Sequence, residues 1–291
     1  MPVAKINLST SSDTVRDDSE TNPVHAGAAL ARSQREGGNR PASTTALSLS
    51  LVLPCYNEEA NLEQTIRSAQ LWLSEASIDG EIIVTDDGSV DGSLAVLRDL
   101  QPEMPNLRVV HHERNLGYGS AVRSGCDQAT KKWIAFMDSD GQFQARDIAR
   151  LVALTARADY VTGFRERRAD SFQRRLYSQL YSMLIRTLLG VHPIDLNCGM
   201  KLFRRSIWST IRPVFATGAL INGEMFFALK NAGIPWEETP VPHYPRRAGT
   251  PTGANLRVIL RTFKELWLLN RSRKALDLQD EGEPENATLP N

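Results

Sequence analysis

The run Trp133-Ile134-Ala135-Phe136-Met137 contains no polar residue and stops at Asp138-Ser139-Asp140-Gly141-Gln142. A short uninterrupted apolar run reads as a buried strand. Its polar end falls where open α/β sheets hold ligands, at the carboxyl ends of their strands. If the backbone stays extended, Asp138 and Asp140 point to one side, because side chains two apart share a face. Two carboxylates together, with no neighbouring Cys or His, make a hard-oxygen site suited to Mg²⁺ or Mn²⁺ carrying a phosphate. Asp-x-Asp alone is also what a polar turn closing a strand looks like.

A second acidic cluster shifts that balance. Glu81-Ile82-Ile83-Val84-Thr85 reads as another strand and runs into Asp86-Asp87-Gly88-Ser89-Val90-Asp91-Gly92-Ser93. Gly88 and Gly92 permit tight turns or close approach to a ligand. Asp91 is placed to cap the helix starting near Ser93, while Asp86 and Asp87 are candidates to hydrogen-bond a base or ribose. A third apolar run, Leu47 to Leu53, leads into Pro54-Cys55-Tyr56-Asn57-Glu58-Glu59.

Taken in order, Pro-x-Tyr-Asn-Glu-Glu, Asp-Asp-Gly-Ser-x-Asp-Gly-Ser, Asn115-Leu116-Gly117-Tyr118-Gly119 and Asp-x-Asp-Gly-Gln resemble the inverting GT-A glycosyltransferases. Within them the chain is most similar to the dolichol-phosphate mannosyltransferase and polyprenyl-phosphate glycosyltransferase branch, over roughly residues 46–270. The resemblance implies a GT-A fold, a nucleotide-sugar donor (GDP-mannose or UDP-glucose), a divalent cation, a polyprenyl phosphate acceptor and inversion at the anomeric carbon. It places the donor against Pro54, Tyr56, Glu58, Asp86, Asp87, Asp138, Gln142, Arg246 and Arg247, and the cation on Asp138, Asp140 and Gln142. It also maps Arg165 and Arg174 onto arginines that grip phosphates, with Arg175 able to take the place of Arg174. Asp195-Leu196-Asn197-Cys198-Gly199-Met200-Lys201-Leu202-Phe203 resembles the same branch's Asp-x-x-x-Gly-x-x-x-Phe segment, where Gly lets backbone pass close to the sugar site.

Elsewhere the chain alternates strand and helix: helices near 58–76, 93–100, 118–130 and 145–157, with strands at 81–85, 107–111, 133–137 and 159–163. That rhythm predicts right-handed β-α-β crossovers and a mostly parallel, doubly wound α/β sheet. Gly117-Tyr118-Gly119 follows the third strand without the third Gly of a dinucleotide fingerprint, so it reads as a tightly packed helix start. Residues 1–45, polar and without apolar periodicity, are expected to be a disordered leader. The GT-A domain is assigned to 46–250, a basic amphipathic helix to 251–274 and an acidic flexible tail to 275–291.

Positive and negative side chains balance overall, at 34 each, so nothing points to a nucleic-acid partner. Residues 246–274 are nevertheless strongly basic, which suits a surface meeting anionic groups. The 3 cysteines are widely spaced and fit neither a disulfide framework nor a zinc site, which points to reduced cytosolic thiols. No stretch approaches the roughly 18 apolar residues of a membrane span. Residues 172–189 and 256–269 instead carry aromatic and aliphatic residues at helical spacing with Arg and Lys interleaved. That pattern fits helices lying in a membrane interface and a peripheral location on the cytosolic face; a homo-oligomer or a membrane partner subunit would produce the same pattern.

The arginines after the strand at 159–163 suit phosphate through bidentate, charge-assisted hydrogen bonds. The predicted reaction is hexose transfer, mannose or glucose, to polyprenyl phosphate. A phosphomonoester is largely dianionic at pH 7 and needs no strong base. The alternative, transfer to a sugar or lipid hydroxyl, would require one, and Glu224 in Asn222-Gly223-Glu224 is the candidate. A sugar-1-phosphate nucleotidyltransferase is the remote alternative, since it would want a Gly-rich basic loop where Pro54-Cys55-Tyr56-Asn57-Glu58 stands. The chain also lacks the Gln-x-x-Arg-Trp signature of processive polysaccharide synthases.

Overall fold

The computed structural model describes residues 47–166, 172–246, 264–269 and 271. Seven strands form one sheet in the order β3-β2-β1-β4-β6-β5-β7. They are β1 (Ser48–Cys55), β2 (Asp79–Asp86), β3 (Leu107–His111), β4 (Trp133–Met137), β5 (Tyr160–Arg165), β6 (Met200–Arg204) and β7 (Trp236–Val241). β1 lies parallel to β2 and β4, β2 to β3, and β5 to β7, while β6 runs antiparallel to both β4 and β5. The expected mostly parallel, doubly wound sheet is therefore present, with one reversed strand that the apolar pattern did not announce.

Helices cover both faces: α1 (Glu59–Glu75), α2 (Ser93–Leu100), α3 (Tyr118–Asp127), α4 (Ile148–Val152), α5 (Phe172–Leu189), α6 (Trp208–Ile211) and α7 (Ile221–Asn231). Strand alternation divides the core in two. Leu51, Leu53, Ile82, Val84, Ala135 and Met137 pack with Leu62, Ile66 and Leu73 of α1. Val52, Ile83, Ile134, Phe136 and Tyr160 pack with Val122 of α3, Ile185 of α5 and Phe226 of α7. Strands buried on both faces read as unbroken apolar runs, which is why β4 stood out in the sequence.

The helix expected over 145–157 is shorter. A 3₁₀ turn, Ala145–Asp147, precedes α4, and the chain then leaves α geometry after Val152. Leu154, Thr155 and Arg157 donate their N–H groups three residues back, and the Thr155 hydroxyl takes the Val152 carbonyl. A side-chain hydroxyl competing for a backbone acceptor favours such turns over helix. The segments 1–45 and 275–291 lie outside the described residues, as does most of 251–274.

Candidate active site

Because β1, β2, β4, β5 and β7 run the same way, their carboxyl ends bring five separated motifs to one edge of the sheet. The first two motifs lock each other there. Asn57 and Glu58 donate backbone N–H groups to the hydroxyls of Ser89 and Ser93, and the Asn57 side chain accepts from Val90 N–H. Glu59 N–H donates to Asp91, and the Glu59 carboxylate accepts from Gly92 N–H at 2.9 Å. Asp91 also accepts from Ser93 N–H at the start of α2, although the N-cap position itself is Gly92 and not Asp91 as expected.

Asp86 and Asp87 are fully buried, and their oxygens are taken up internally. Asp86 accepts from Ser89 N–H and contacts His111 Nδ1 at 2.8 Å. Asp87 contacts His112 Nδ1 at 2.7 Å and accepts from the N–H groups of Leu116 and Gly117, while His112 Nε2 lies 2.9 Å from the Ser124 hydroxyl. Asp86 and Asp87, the candidates to hydrogen-bond a base or ribose, thus also hold together the loop after β2.

At the end of β4, Ser139 donates to the Pro54 carbonyl at 2.6 Å and so ties the acid loop to β1. Tyr56 sits half-buried beside that join. Asp138 accepts from the Tyr118 hydroxyl at 2.8 Å, and its N–H donates to Gly199 O. Burial and then the Asp140 charge push its carboxyl up to about 7, which marks two acids crowded without full compensation. Gly199 packs so tightly on Asp138 that an added Cβ would lie 2.0 Å from Oδ2, which is the physical content of the Gly in that motif.

The far end of the domain closes the same edge. Arg246 bonds the Glu58 carboxylate and lies 3.7 Å from Asp140 Oδ2. Glu58 also accepts from Asn61, and burial lifts its carboxyl above the usual range against the pull of its partners. Gln142, expected as a metal ligand through its side-chain oxygen, donates its side-chain amide N–H to Tyr244 O, and its backbone carbonyl accepts from Tyr244 N–H. It fastens the segment carrying Arg246 to the acid loop. Arg165, at the end of β5, holds Asp195 through Nε and Nη2 at 2.6 and 2.9 Å, a pairing that no spacing in the chain announces.

The candidate base Glu224 is engaged with backbone donors. It is buried on α7, and its two oxygens accept from the N–H groups of Val214, Phe215 and Ala216. A carboxylate committed to three backbone donors is a structural anchor for that loop. Arg174 and Arg175 belong to α5, but their side chains lie outside the described residues, as does Arg247.

The sequence profile of glycosyl transferase family 2 matches residues 50–212. The chain belongs to that family. The glycosyl transferase family 2 relatives include the dodecaprenyl-phosphate galacturonate synthase of Rhizobium johnstonii, 33% identical over 180 residues, or 60% of this chain and 53% of that protein. The undecaprenyl-phosphate 4-deoxy-4-formamido-L-arabinose transferase of Pseudomonas fluorescens is 32% identical over 181 residues, covering 58% and 53%. The chain thus spans about half the length of the curated relatives it matches. Among solved structures, glucosyl-3-phosphoglycerate synthase from Mycobacterium tuberculosis, in complex with Mn²⁺, UDP-glucose and phosphoglyceric acid, superposes with a TM-score of 0.59. It is 23% identical, over 76% of this chain and 80% of that one. Mannosyl-3-phosphoglycerate synthase from Rubrobacter xylanophilus gives 0.58 at 19% identity, over 84% and 78%. These likenesses establish the GT-A fold of this family 2 chain.

Proposed function

We propose that this chain transfers a hexose, mannose or glucose, from a nucleoside diphosphate sugar to polyprenyl phosphate with inversion. The observation that carries the choice of acceptor is the commitment of Glu224 to three backbone amides. The carboxylate considered for deprotonating a hydroxyl is occupied, and a phosphate dianion needs no such base. The two polyprenyl-phosphate transferases among the relatives support the same acceptor class.

The acid pair fits a hard divalent cation, Mg²⁺ or Mn²⁺, since Asp138 and Asp140 are oxygen donors whose mutual repulsion a cation would relieve. Among the described residues no three acidic, His or Cys side chains surround one point, so diphosphate oxygens would complete the shell. Such an ion neutralises charge developing on a leaving diphosphate. Arg246, held on the segment after β7, would turn from Glu58 toward those phosphates. Arg165, fixed by Asp195, would orient the acceptor phosphate, whose oxygen attacks the anomeric carbon from the side opposite the departing diphosphate. Holding the reactants in line is the main catalytic contribution.

We further propose that the protein works at a membrane surface. Among the described residues no helix is long and apolar enough to cross a membrane. However, α5 buries Ile185 and Leu189 while exposing Met183, Leu184 and Leu188, and Ile194 and Trp267 are exposed as well. The Arg271 guanidinium stands 5.5 Å over the Trp267 ring, an aromatic and a cation paired as interfacial segments pair them.

The test incubates the full chain with polyprenyl phosphate, Mn²⁺ and labelled GDP-mannose, UDP-glucose or UDP-galacturonic acid in parallel. Label entering the lipid fraction from GDP-mannose or UDP-glucose, and lost in Asp140→Ala, is the expected result; label from UDP-galacturonic acid alone would overturn the choice of sugar. Nucleotide-sugar hydrolysis with no lipid labelling would overturn the acceptor assignment.

A further inference from the structure

Lys201 has no task in the reaction above, yet its burial is hard to explain by packing. It lies on β6, fully buried, between the rings of Phe136 and Phe226, with Nζ 5.6 and 5.7 Å from their centroids. Its hydrogen-bond acceptor is the Cys198 carbonyl at 2.6 Å. An ammonium in an apolar layer is costly unless paired, and a well-packed Met or Leu would carry no such cost. No carboxylate among the described residues forms an ion pair with it.

Its position gives the explanation. Lys201 pairs across the sheet with Phe136, so by strand alternation it shares a face with Asp138, two residues further along. The carbonyl it grips belongs to Cys198, and the next residue is Gly199. Gly199 O receives the Asp138 N–H at 3.2 Å, and the Gly199 Cα passes against the Asp138 carboxylate with no room for a Cβ. Moving Cys198 therefore moves the wall against which Asp138 rests.

We infer that Lys201 is a positioning residue for Asp138, bracing the Cys198–Gly199 backbone against the carboxylate. The inference rests on the proposed role of Asp138 toward a divalent cation and the donor diphosphate. A well-placed carboxylate of a cation site needs a rigid support, because small displacements of a reacting group are expensive.

Lys201→Met in the full chain removes the charge and keeps the length. The readouts are Mn²⁺ titration by calorimetry in the presence of UDP, the thermal midpoint, and kcat and KM for transfer. Mn²⁺ should bind at least tenfold more weakly, and kcat should fall at least tenfold with a smaller change in donor KM. The thermal midpoint should hold or rise. In an Asp138→Asn background the same substitution should add no further loss. Should the Met variant not fold, Lys201→Gln, which keeps an N–H for the Cys198 carbonyl, should bind Mn²⁺ within about threefold of the wild-type chain, and a tenfold loss there would overturn the bracing. Mn²⁺ affinity and kcat within twofold of the wild-type chain, or no Mn²⁺ binding by the wild type, would overturn the inference. The titration needs no acceptor, so a weakened Mn²⁺ isotherm without any lipid labelling would sink the transfer reading and leave Lys201 in place.

Discussion

Glu224 accepts three backbone N–H groups and Asp138 accepts one phenol, and that difference sorts two buried acids into different work. Hydrogen bonds to a charged acceptor contribute about 2 kcal/mol each, so Glu224→Gln should lower stability by about that much in urea titrations. Its kcat, measured on the fraction still folded, should stay within about threefold of wild type. A collapse of kcat at unchanged stability would return Glu224 to the chemistry. Asp138 behaves in the opposite sense. Its carboxyl titrates near 7 in the folded chain and near 4 when unfolded, so the folded state holds an extra proton between those values. Stability should then fall as pH rises from about 4 to about 7, and a cation that replaces the proton should help most above that window. The shift of the melting temperature by Mn²⁺ with UDP should be larger at pH 8 than at pH 5, and equal shifts would remove Asp138 from the ion site. The sequence singles out both acids but not what they touch. The partners of Glu224 lie eight to ten residues upstream in an irregular loop, and Tyr118 lies 20 residues before Asp138, so no spacing rule reveals either.

At the scale of elements, the starts of α1 and α2 are each hydrogen-bonded by a residue of the other motif. Asp91 takes the N–H of Glu59 and Glu59 takes that of Gly92. Asp91→Ala removes acceptors at both helix starts and should cost about 1 kcal/mol in chemical denaturation, the usual worth of a cap. No change in the midpoint would mean that water replaces both contacts. β1, β2 and β4 were legible because burial on both faces leaves runs of Val, Ile, Leu and Phe; β7, with Glu237, Glu238 and Pro240, leaves no such run and was not. β6 was not: Met200-Lys201-Leu202-Phe203-Arg204 alternates a charged residue into the run, and nothing local records that its direction is reversed. The shortened helix at α4 follows the same lesson, since helical spacing of apolar residues continued past Val152 while the hydrogen bonds tightened.

For the whole molecule, the proposed function must join the edge that gathers the acids with the exposed apolar side chains of Met183, Leu188 and Trp267. The chain should sediment with vesicles rich in anionic phospholipid and less so with neutral ones, with the difference shrinking as salt shortens the reach of surface charge. Trp267→Ala together with Met183→Ser should reduce sedimentation severalfold while circular dichroism stays unchanged. Equal binding by the double variant would remove this face from the membrane contact. One contact described above also bears on how the chain is made. Glu58 and Arg246 are 188 residues apart, and the carboxylate is buried with that guanidinium as its counter-charge. During synthesis the first motif emerges long before its partner, and a buried acid awaiting its cation is destabilising. The site is thus finished by nearly the last strand to arrive, and a chain that stops before β7 carries its own penalty at the place where it would otherwise bind.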